Sequence, residues 1–419
     1  MTGPLSRPAA EIASGRKPRL LVVPHIYADD IAVREIELAR RLTARFDVFL
    51  LKWRDALHVD SSSALLRRAR QFATAVRAAL RRPRVEQAPD GTTLVEVPVL
   101  QPILLHRLFG AERAMAVAQE RNHRTLLSVL HDFQITHVLL ASELFGVERT
   151  LGVKTFFDIV DWFPEEGMSV TRLEAVRARL RGMAQKMDGV FAVSDPLCDK
   201  LERDCGIRAI PLPNGADLDR LRGVDPAQVH ALRSRLGLDG KYVIGYIGNH
   251  GNYTGVDLVV NAFLAARARL PQAALLIVGP AQCWQGILDA HRADGVIATG
   301  PVPPGEIATY FNALDLGILA QGKSSGTEFA FQLKVVEYTA CRKCVVSTPL
   351  CTWQRLRWPN VFLIEPEPAA WADAFVRAAT TRWQPEWDAL AEPYDWSVLG
   401  EKVAAALLSA KAPGETCAS

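Results

Sequence analysis

Short apolar runs alternate with segments of helical period along this chain, and they do so in two separate series. The first series holds "RLLVVPHIY", "DVFLLKW", "THVLLA", "KTFFDIVDW" and "GVFAVSD". Between its first two runs lies "IAVREIELARRLTARF", with Ile31, Ile36, Leu38 and Leu42 at helical spacing. The turn-rich "PLPNGADLD" then breaks the rhythm. The second series holds "KYVIGYIG", "AALLIVG", "GVIATG", "LGILA", "CVVST" and "NVFLIE", with helices such as "VDLVVNAFLAARARL" between them. Continuous apolar runs joined by crossover helices read as parallel strands buried on both faces. Two such series predict an α/β protein of two Rossmann-like domains facing each other across an interdomain cleft. Open sheets of this kind bind ligands at the carboxyl ends of their strands. The expected boundaries are a disordered leader over 1–17, a first domain over 18–212, a second over 213–390, and a C-terminal helix and tail over 391–419.

Length and charge narrow the function classes. A chain of 419 residues, 49% apolar and 23% charged, can bury two cores. A net charge of +3 gives no support to a nucleic-acid partner. No apolar run reaches the ~18 residues of a membrane span, and the first residues lack a signal-peptide core, so a cytoplasmic location is expected. Cys341 and Cys344 form a C-x-x-C without a second pair to complete a zinc site, and they read as small apolar residues. His106, His123, His131 and His137 are not spaced as metal ligands, so no metal site is expected. The segment Ser62–Val85 has helical period, with Leu65, Phe72, Val76 and Leu80 on one side and Arg67, Arg70, Arg77 and Arg81 on the other. Such a helix can lie on an anionic membrane surface or can pack as an ordinary surface helix.

The stretch "GKSSGTEFAFQLKVVEYTACRKCVVSTP" reads as a loop, a short helix, a turn and a strand. The loop carries Lys323, Ser325 and Gly326 and delivers the chain into a helix N-terminus, whose free amides favour anions. Lys334 and Glu337 lie on one helix face. A carboxylate there can accept both hydroxyls of a vicinal diol, and the plainer reading is an i,i+3 ion pair. In the first domain, His25 follows the first strand, with Asp29 and Asp30 nearby. Asp158 and Asp161 end the strand "KTFFDIVDW", where a cleft residue belongs, although a turn or N-cap Asp is the alternative.

These residues also carry a resemblance. "QLKVVEYTACRKCVVSTP", "YIGNHGNYTGVDLVVNAF", "LPNGADLDRL", "VFAVSDPLCDKL", "GPVPPGEIATYFNALDLGIL" and "PYDWSVLGEKV" resemble, in order, segments of glycosyltransferase family 4 and its GT-B relatives. "FFDIVDWFPEE" is similar to an acidic segment of related bacterial enzymes. The resemblance implies a GT-B fold and a glycosyltransferase that moves a sugar from a nucleotide-sugar donor, usually with retention and without a metal. No cofactor is implied beyond the donor itself. The implied acceptor is a glycan or lipid-linked molecule in cell-surface polysaccharide or glycolipid biosynthesis. It also implies that the C-terminal helix crosses back to the first domain.

Residue by residue, Glu337 matches the second Glu of the family's Glu-x7-Glu signature, which holds the donor ribose. The loop from Gly322 to Gln332 would line the pyrophosphate and sugar, and Gly300 to Val302 the base. The loop after the first strand of the second domain, with Gly248, Asn249, His250 and Thr254, would hold the donor phosphates. Asp161, His25 and Glu328 are the candidates for catalytic contacts. The chain departs from the pattern in two places. Phe329 stands where the first Glu belongs, with Glu328 one residue early. Asn249 and Thr254 stand where the family has its phosphate-clamping Arg and Lys, leaving Lys334, Lys323 or His250 to supply the charge. Two other readings stay open: a GT-B epimerase acting on a UDP-sugar, and a catalytically weak nucleotide- or glycan-binding module.

Overall fold

The computed structural model describes residues 17–25, 34–53, 83–100, 102, 110–146, 150–162 and 167–409. The first lobe contains β1 (Arg19–Val23), α1 (Arg34–Leu42), β2 (Asp47–Lys52), β3 (Arg84–Gln87), β4 (Thr93–Glu96), α2 (Ala111–Asp132), β5 (His137–Leu140), β6 (Lys154–Ile159), α3 (Val170–Ala184), β7 (Gly189–Ala192), α4 (Asp195–Cys205) and β8 (Ile210–Pro211). They form an eight-stranded sheet in the order β3-β4-β2-β1-β5-β6-β7-β8, parallel except for the β3–β4 pair. Every apolar run of the first series is a strand here, because each is buried on both faces. On β1, Leu20 and Val22 join one core while Leu21 and Val23 join another.

The β3–β4 hairpin was not expected, and it corrects one boundary. Arg84 and Val85 open β3, so the expected helix over Ser62–Val85 does not reach its end, and residues 62–82 lie outside the described residues. β3 is exposed along its whole length, so it carries none of the apolar alternation by which a strand is read from sequence.

Helices α5 (Leu218–Arg222) and α6 (Pro226–Arg235) lead into the second lobe. That lobe contains β9 (Tyr242–Ile247), α7 (Val256–Ala266), β10 (Ala273–Val278), α8 (Gln285–Ala290), β11 (Val296–Gly300), α9 (Ile307–Ala313), β12 (Leu316–Leu319), α10 (Ser325–Glu328), α11 (Leu333–Ala340), β13 (Cys344–Ser347), α12 (Cys351–Leu356), β14 (Val361–Leu363) and α13 (Pro368–Thr380). Its six strands run in the order β11-β10-β9-β12-β13-β14, and every pairing is parallel. The strand order reverses between β9 and β12, so a crevice opens at their carboxyl ends. The loops that leave these two strands are bridged there, Thr254 to Gln321, with the Gly322 amide donating to the Tyr253 carbonyl at 2.9 Å. In the first sheet the corresponding reversal falls between β1 and β5, which puts His25 at its mouth.

One apolar core runs from the first sheet into the second. It takes in Leu21, Leu51 and Val138 as well as Val243, Ile247 and Leu276. The C-terminal helix α14 (Trp396–Ser409) leaves the second lobe and packs on α1, its Trp396, Leu399, Val403 and Leu407 sharing a core with Leu38 and Leu42. Gly400 permits this approach, since a Cβ there would meet the Cβ of Arg41 at 2.7 Å. Among the described residues, no helix is long and apolar enough to cross a membrane. The expected leader up to residue 16 and the tail from residue 410 lie outside the described residues.

Candidate functional site

Helix α11 is seated by its own tyrosine. The Tyr338 ring lies over Gly317 of β12, where any Cβ would overlap it. The Tyr338 hydroxyl accepts from the Ile247 amide at the end of β9, at 3.1 Å. With Val335, Val336, Tyr338, Thr339 and Ala340 buried, the remaining face turns Lys334 and Glu337 to the crevice side, each half-buried. The helix begins without a side-chain cap, leaving its first amides for another partner.

Lys334 reaches back over Gly248, the first residue after β9. A methyl added at Gly248 would overlap Lys334 Cε and Nζ, and the backbone there sits at φ 131°. The ammonium also lies 5.8 Å from the centre of the Tyr246 ring. Among the described residues, neither Lys334 nor Glu337 has a hydrogen bond or ion pair through its side chain, and they are not paired with each other. The i,i+3 ion pair that the spacing allowed is therefore not formed. Burial pushes the Glu337 carboxyl up to about 7, against the opposing charges of Lys334 and Arg220. Burial likewise lowers the Lys334 ammonium, against the pull of Glu337. Two chargeable groups thus sit half-buried without a hydrogen bond or ion pair from the described protein, an arrangement that favours a polar ligand.

The other expected residues of this lobe divide. Gly248 touches Lys334, and Asn249 is exposed beside it. His250 is fully buried. Its Nε2 contacts the Val278 carbonyl at 3.0 Å, its ring packs on Tyr246, and burial drives its pKa down to about 4, so it is neutral packing rather than a phosphate cation. Thr254 is also buried and donates to the Gly251 carbonyl at 2.6 Å. Gly300 turns the chain at φ 69°, and Val302 packs at the edge of the core. Arg220, which the sequence did not single out, holds the adjoining loop by donating to the Pro304 carbonyl.

The loop ahead of α11 contains its own short helix, α10, which includes Ser325 and the buried Gly326. Ser324 closes a capping box with Thr327 there, so α10 is satisfied internally. Lys323 is exposed and sits 3.9 Å from Glu365. Glu328 accepts from Cys351 Sγ at 3.5 Å. Phe329 lies under the Lys200 ammonium, 5.1 Å from its ring centre, and the same ammonium lies 5.6 Å from the Trp162 ring of the first lobe. The residue in place of the family's first Glu is therefore part of the seam between lobes.

The first lobe brings His25 and Asp161 together with a charged cluster. His25 Nδ1 lies 2.7 Å from Glu35 Oε1, and Glu35 is fully buried while His25 is 37% exposed. Burial opposes protonation of His25, but the Glu35 hydrogen bond and the charges of Glu35, Asp161 and Asp158 outweigh it, and its pKa is raised. Asp158, wholly buried, faces Arg34, with Nη2 donating to Oδ1 at 3.1 Å and Nε 3.0 Å from Oδ2. Burial still lifts Asp158 to about 6 against the Arg34 charge, and partial dehydration at the surface lifts the exposed Asp161 to about 6 against His25 and Arg34. A cavity of about 350 Å³ lies elsewhere, on the hinge side of Phe331 between Pro211, Pro213, Tyr394 and Lys402, and neither Glu337, Lys334, His25 nor Asp161 lines it. Cys341 and Cys344 are buried, with thiols pushed up to about 12 and about 11 by burial.

Comparison with known proteins places this geometry. Residues 241–381 match the family Glycosyl transferases group 1. A Bacillus subtilis (strain 168) protein assigned provisionally as the teichuronic acid biosynthesis glycosyltransferase TuaH is 25% identical over 204 residues, 46% of this chain and 49% of that relative. The match thus spans about half the length of that relative. The Anabaena protein Alr3699/HepE, solved in complex with UDP and glucose, superposes with a TM-score of 0.64 at 16% identity, covering 94% of this chain and all of that one. An α,α-trehalose-phosphate synthase (UDP-forming) from Burkholderia vietnamiensis superposes with a TM-score of 0.67 at 15% identity, covering 96% and 99% of the two chains. The two facing sheets have the GT-B fold, and residues 241–381 of the second lobe are similar to the glycosyl transferases group 1.

Proposed function

We propose that the chain is a glycosyltransferase that takes a sugar from a UDP-sugar and passes it to a glycan or lipid-linked acceptor in polysaccharide biosynthesis. The observation that carries this reading is the Glu337 carboxyl, half-buried at the crevice, raised to about 7 and without a protein hydrogen bond among the described residues. A ribose diol would supply what it lacks. Lys334 and the uncapped start of α11 would hold the diphosphate, in place of the cations absent at Asn249 and Thr254. The turn at Gly300 to Val302 would receive the base, and the His25–Asp161 side of the cleft the acceptor. UDP is the nucleotide of choice because the solved HepE complex holds it and the trehalose-phosphate synthase forms it.

The reaction so proposed keeps the anomeric configuration. A departing phosphate oxygen takes the proton of the acceptor hydroxyl, while the protein contributes position and charge stabilisation. It needs no cofactor, and activity should persist in EDTA. Work at the cytoplasmic membrane face, through the arginine-rich segment around Arg67 to Arg81, belongs to the same proposal. Replacing Arg67, Arg70, Arg77 and Arg81 by Gln should abolish sedimentation with anionic vesicles.

Calorimetric titration with UDP tests the core of the proposal. Wild type should bind, and Glu337→Ala should weaken binding at least about tenfold, the loss of one charged hydrogen-bonding group. Equal affinity in the two proteins would falsify the site. A panel of UDP-sugars with NMR of the product anomeric carbon then reads the sugar and the stereochemistry.

A further inference from the structure

The segment Phe329–Gln332 belongs to the second lobe by sequence but is held from both sides. From its own lobe, Thr352 Oγ1 donates to the Ala330 carbonyl at 2.9 Å, and Trp353 Nε1 donates to Gln332 Oε1 at 2.8 Å. From the first lobe and the hinge, Ser194 Oγ donates to the Phe329 carbonyl at 2.5 Å, and Asn214 Nδ2 donates to the Phe331 carbonyl at 2.9 Å. Asn214 has a second partner. Its Oδ1 accepts from Arg34 Nη1 at 3.1 Å, and Arg34 is the buried cation that faces Asp158 and also donates to the Leu212 carbonyl at 2.7 Å.

The chemistry of these partners admits one orientation of the amide. A guanidinium only donates and a carbonyl only accepts, so Asn214 must show its oxygen to Arg34 and its nitrogen to Phe331. An aspartate of the same shape would keep the first bond and set lone pairs against the Phe331 carbonyl. Asn214 thus completes an unbroken hydrogen-bonded path. It runs from Asp158, beside His25 and Asp161, to the backbone one residue ahead of Gln332, the N-cap of α11.

We propose that Asn214 is a positioning residue that couples the charged pocket of the first lobe to the donor loop of the second. A change in the Asp158–Arg34 pair, as an acceptor fills the His25–Asp161 side, is passed through the Asn214 amide to Phe329–Gln332. It thereby reaches the start of the helix that carries Lys334 and Glu337. The role rests on the nucleotide-binding reading of that helix. Asn214 touches neither proposed substrate. It acts through the loop.

A double-mutant cycle with UDP as the probe tests this. Asp158→Asn keeps the shape and the acceptor oxygen but removes the negative charge that faces Arg34, and the side-chain bonds of Asp158 run to Arg34. Expected is a three- to tenfold loss of UDP affinity from Asp158→Asn alone, and less than a twofold change from the same substitution in an Asn214→Ala background. Asn214→Gln, which retains both a carbonyl and an amide, should recover affinity relative to Asn214→Ala at an unchanged thermal midpoint. Equal effects of Asp158→Asn in the two backgrounds, including no effect in either, would overturn the proposal. If Asp158→Asn does not fold, the near-isosteric Asn214→Asp serves, read by hydrogen exchange over Phe329 to Lys334. Faster exchange there supports the coupling, and wild-type exchange together with wild-type UDP affinity refutes it. The Glu337→Ala control separates the two levels. If it leaves UDP affinity unaltered, the nucleotide site is wrong, whereas exchange in Asn214→Asp still decides whether the link positions the loop.

Discussion

The two sides of the cleft handle charge in opposite ways. In the first lobe, His25 pairs with Glu35 and Arg34 with Asp158 at hydrogen-bond distance, and Arg34, Glu35 and Asp158 are buried. In the second lobe, Lys334 and Glu337 are only half-buried, and no described residue makes a hydrogen bond or ion pair with either side chain. Buried ion pairs hold shape, because removing one member strands its partner. An open pair costs stability and waits for a ligand, the usual trade at a binding site. The contrast puts structural strength on one side, and on the proposed function it puts nucleotide affinity on the other.

Breaking the first-lobe network should give the largest effect. Arg34→Ala leaves Asp158 buried without its counter-charge, at a cost of about 3–5 kcal/mol, so chemical denaturation should show a lowered midpoint. A midpoint within error of wild type would mean that the cluster is not the strong side. Next comes Gly248→Ala. The added methyl takes the place of Lys334 Cε and Nζ at a backbone angle that only glycine readily adopts. UDP affinity should fall about tenfold or more while secondary structure by circular dichroism is kept.

Smaller effects sharpen the contrast through pH. The Glu337 carboxyl is raised from 4.5 to about 7, so its ionisation costs nothing below about 4.5 and destabilises increasingly up to about 7. Glu337→Gln should therefore stabilise the protein at pH 8, by on the order of 1 kcal/mol, while UDP binding weakens. Stability gained with affinity lost is the signature of an open site, and stability lost would contradict it. Asp161, raised from 3.8 to about 6, gives the smallest change. Asp161→Asn should match wild type at pH 4 and be modestly more stable at pH 7, read as a difference in thermal midpoint across that window.

Much of the fold was legible because burial on both faces leaves a continuous apolar run. The strands from β5 to β7 and from β9 to β14 carry that mark, and Tyr338 and Glu337 stood in a recognisable segment. β3 carried no mark, since an exposed edge strand does not need apolar residues. His250 looked like a cation for the phosphates and proved to be neutral packing, because nothing in "GNHGN" tells which way its ring turns. Arg34 and Glu35 were not singled out by the sequence, yet both are buried. The one available signal was an Arg-Glu pair entering a helix near the carboxyl end of β1. Asn214 read as a turn residue within "PNG", and its two bonds join residues far apart in the chain.

Local pattern alone therefore determined the two βα series, the turn between them, and the helix face that carries both Lys334 and Glu337. These follow from periodicity and from the chemistry of neighbours three or four residues apart. Which charges close on each other and which stay open was decided only when the lobes came together. Arg34 meets Asn214, and Asn214 meets Phe331, across 180 and 117 residues of sequence. No local rule specifies a contact of that span. It exists because packing two sheets on a shared core places those groups where their lone pairs and protons must be satisfied.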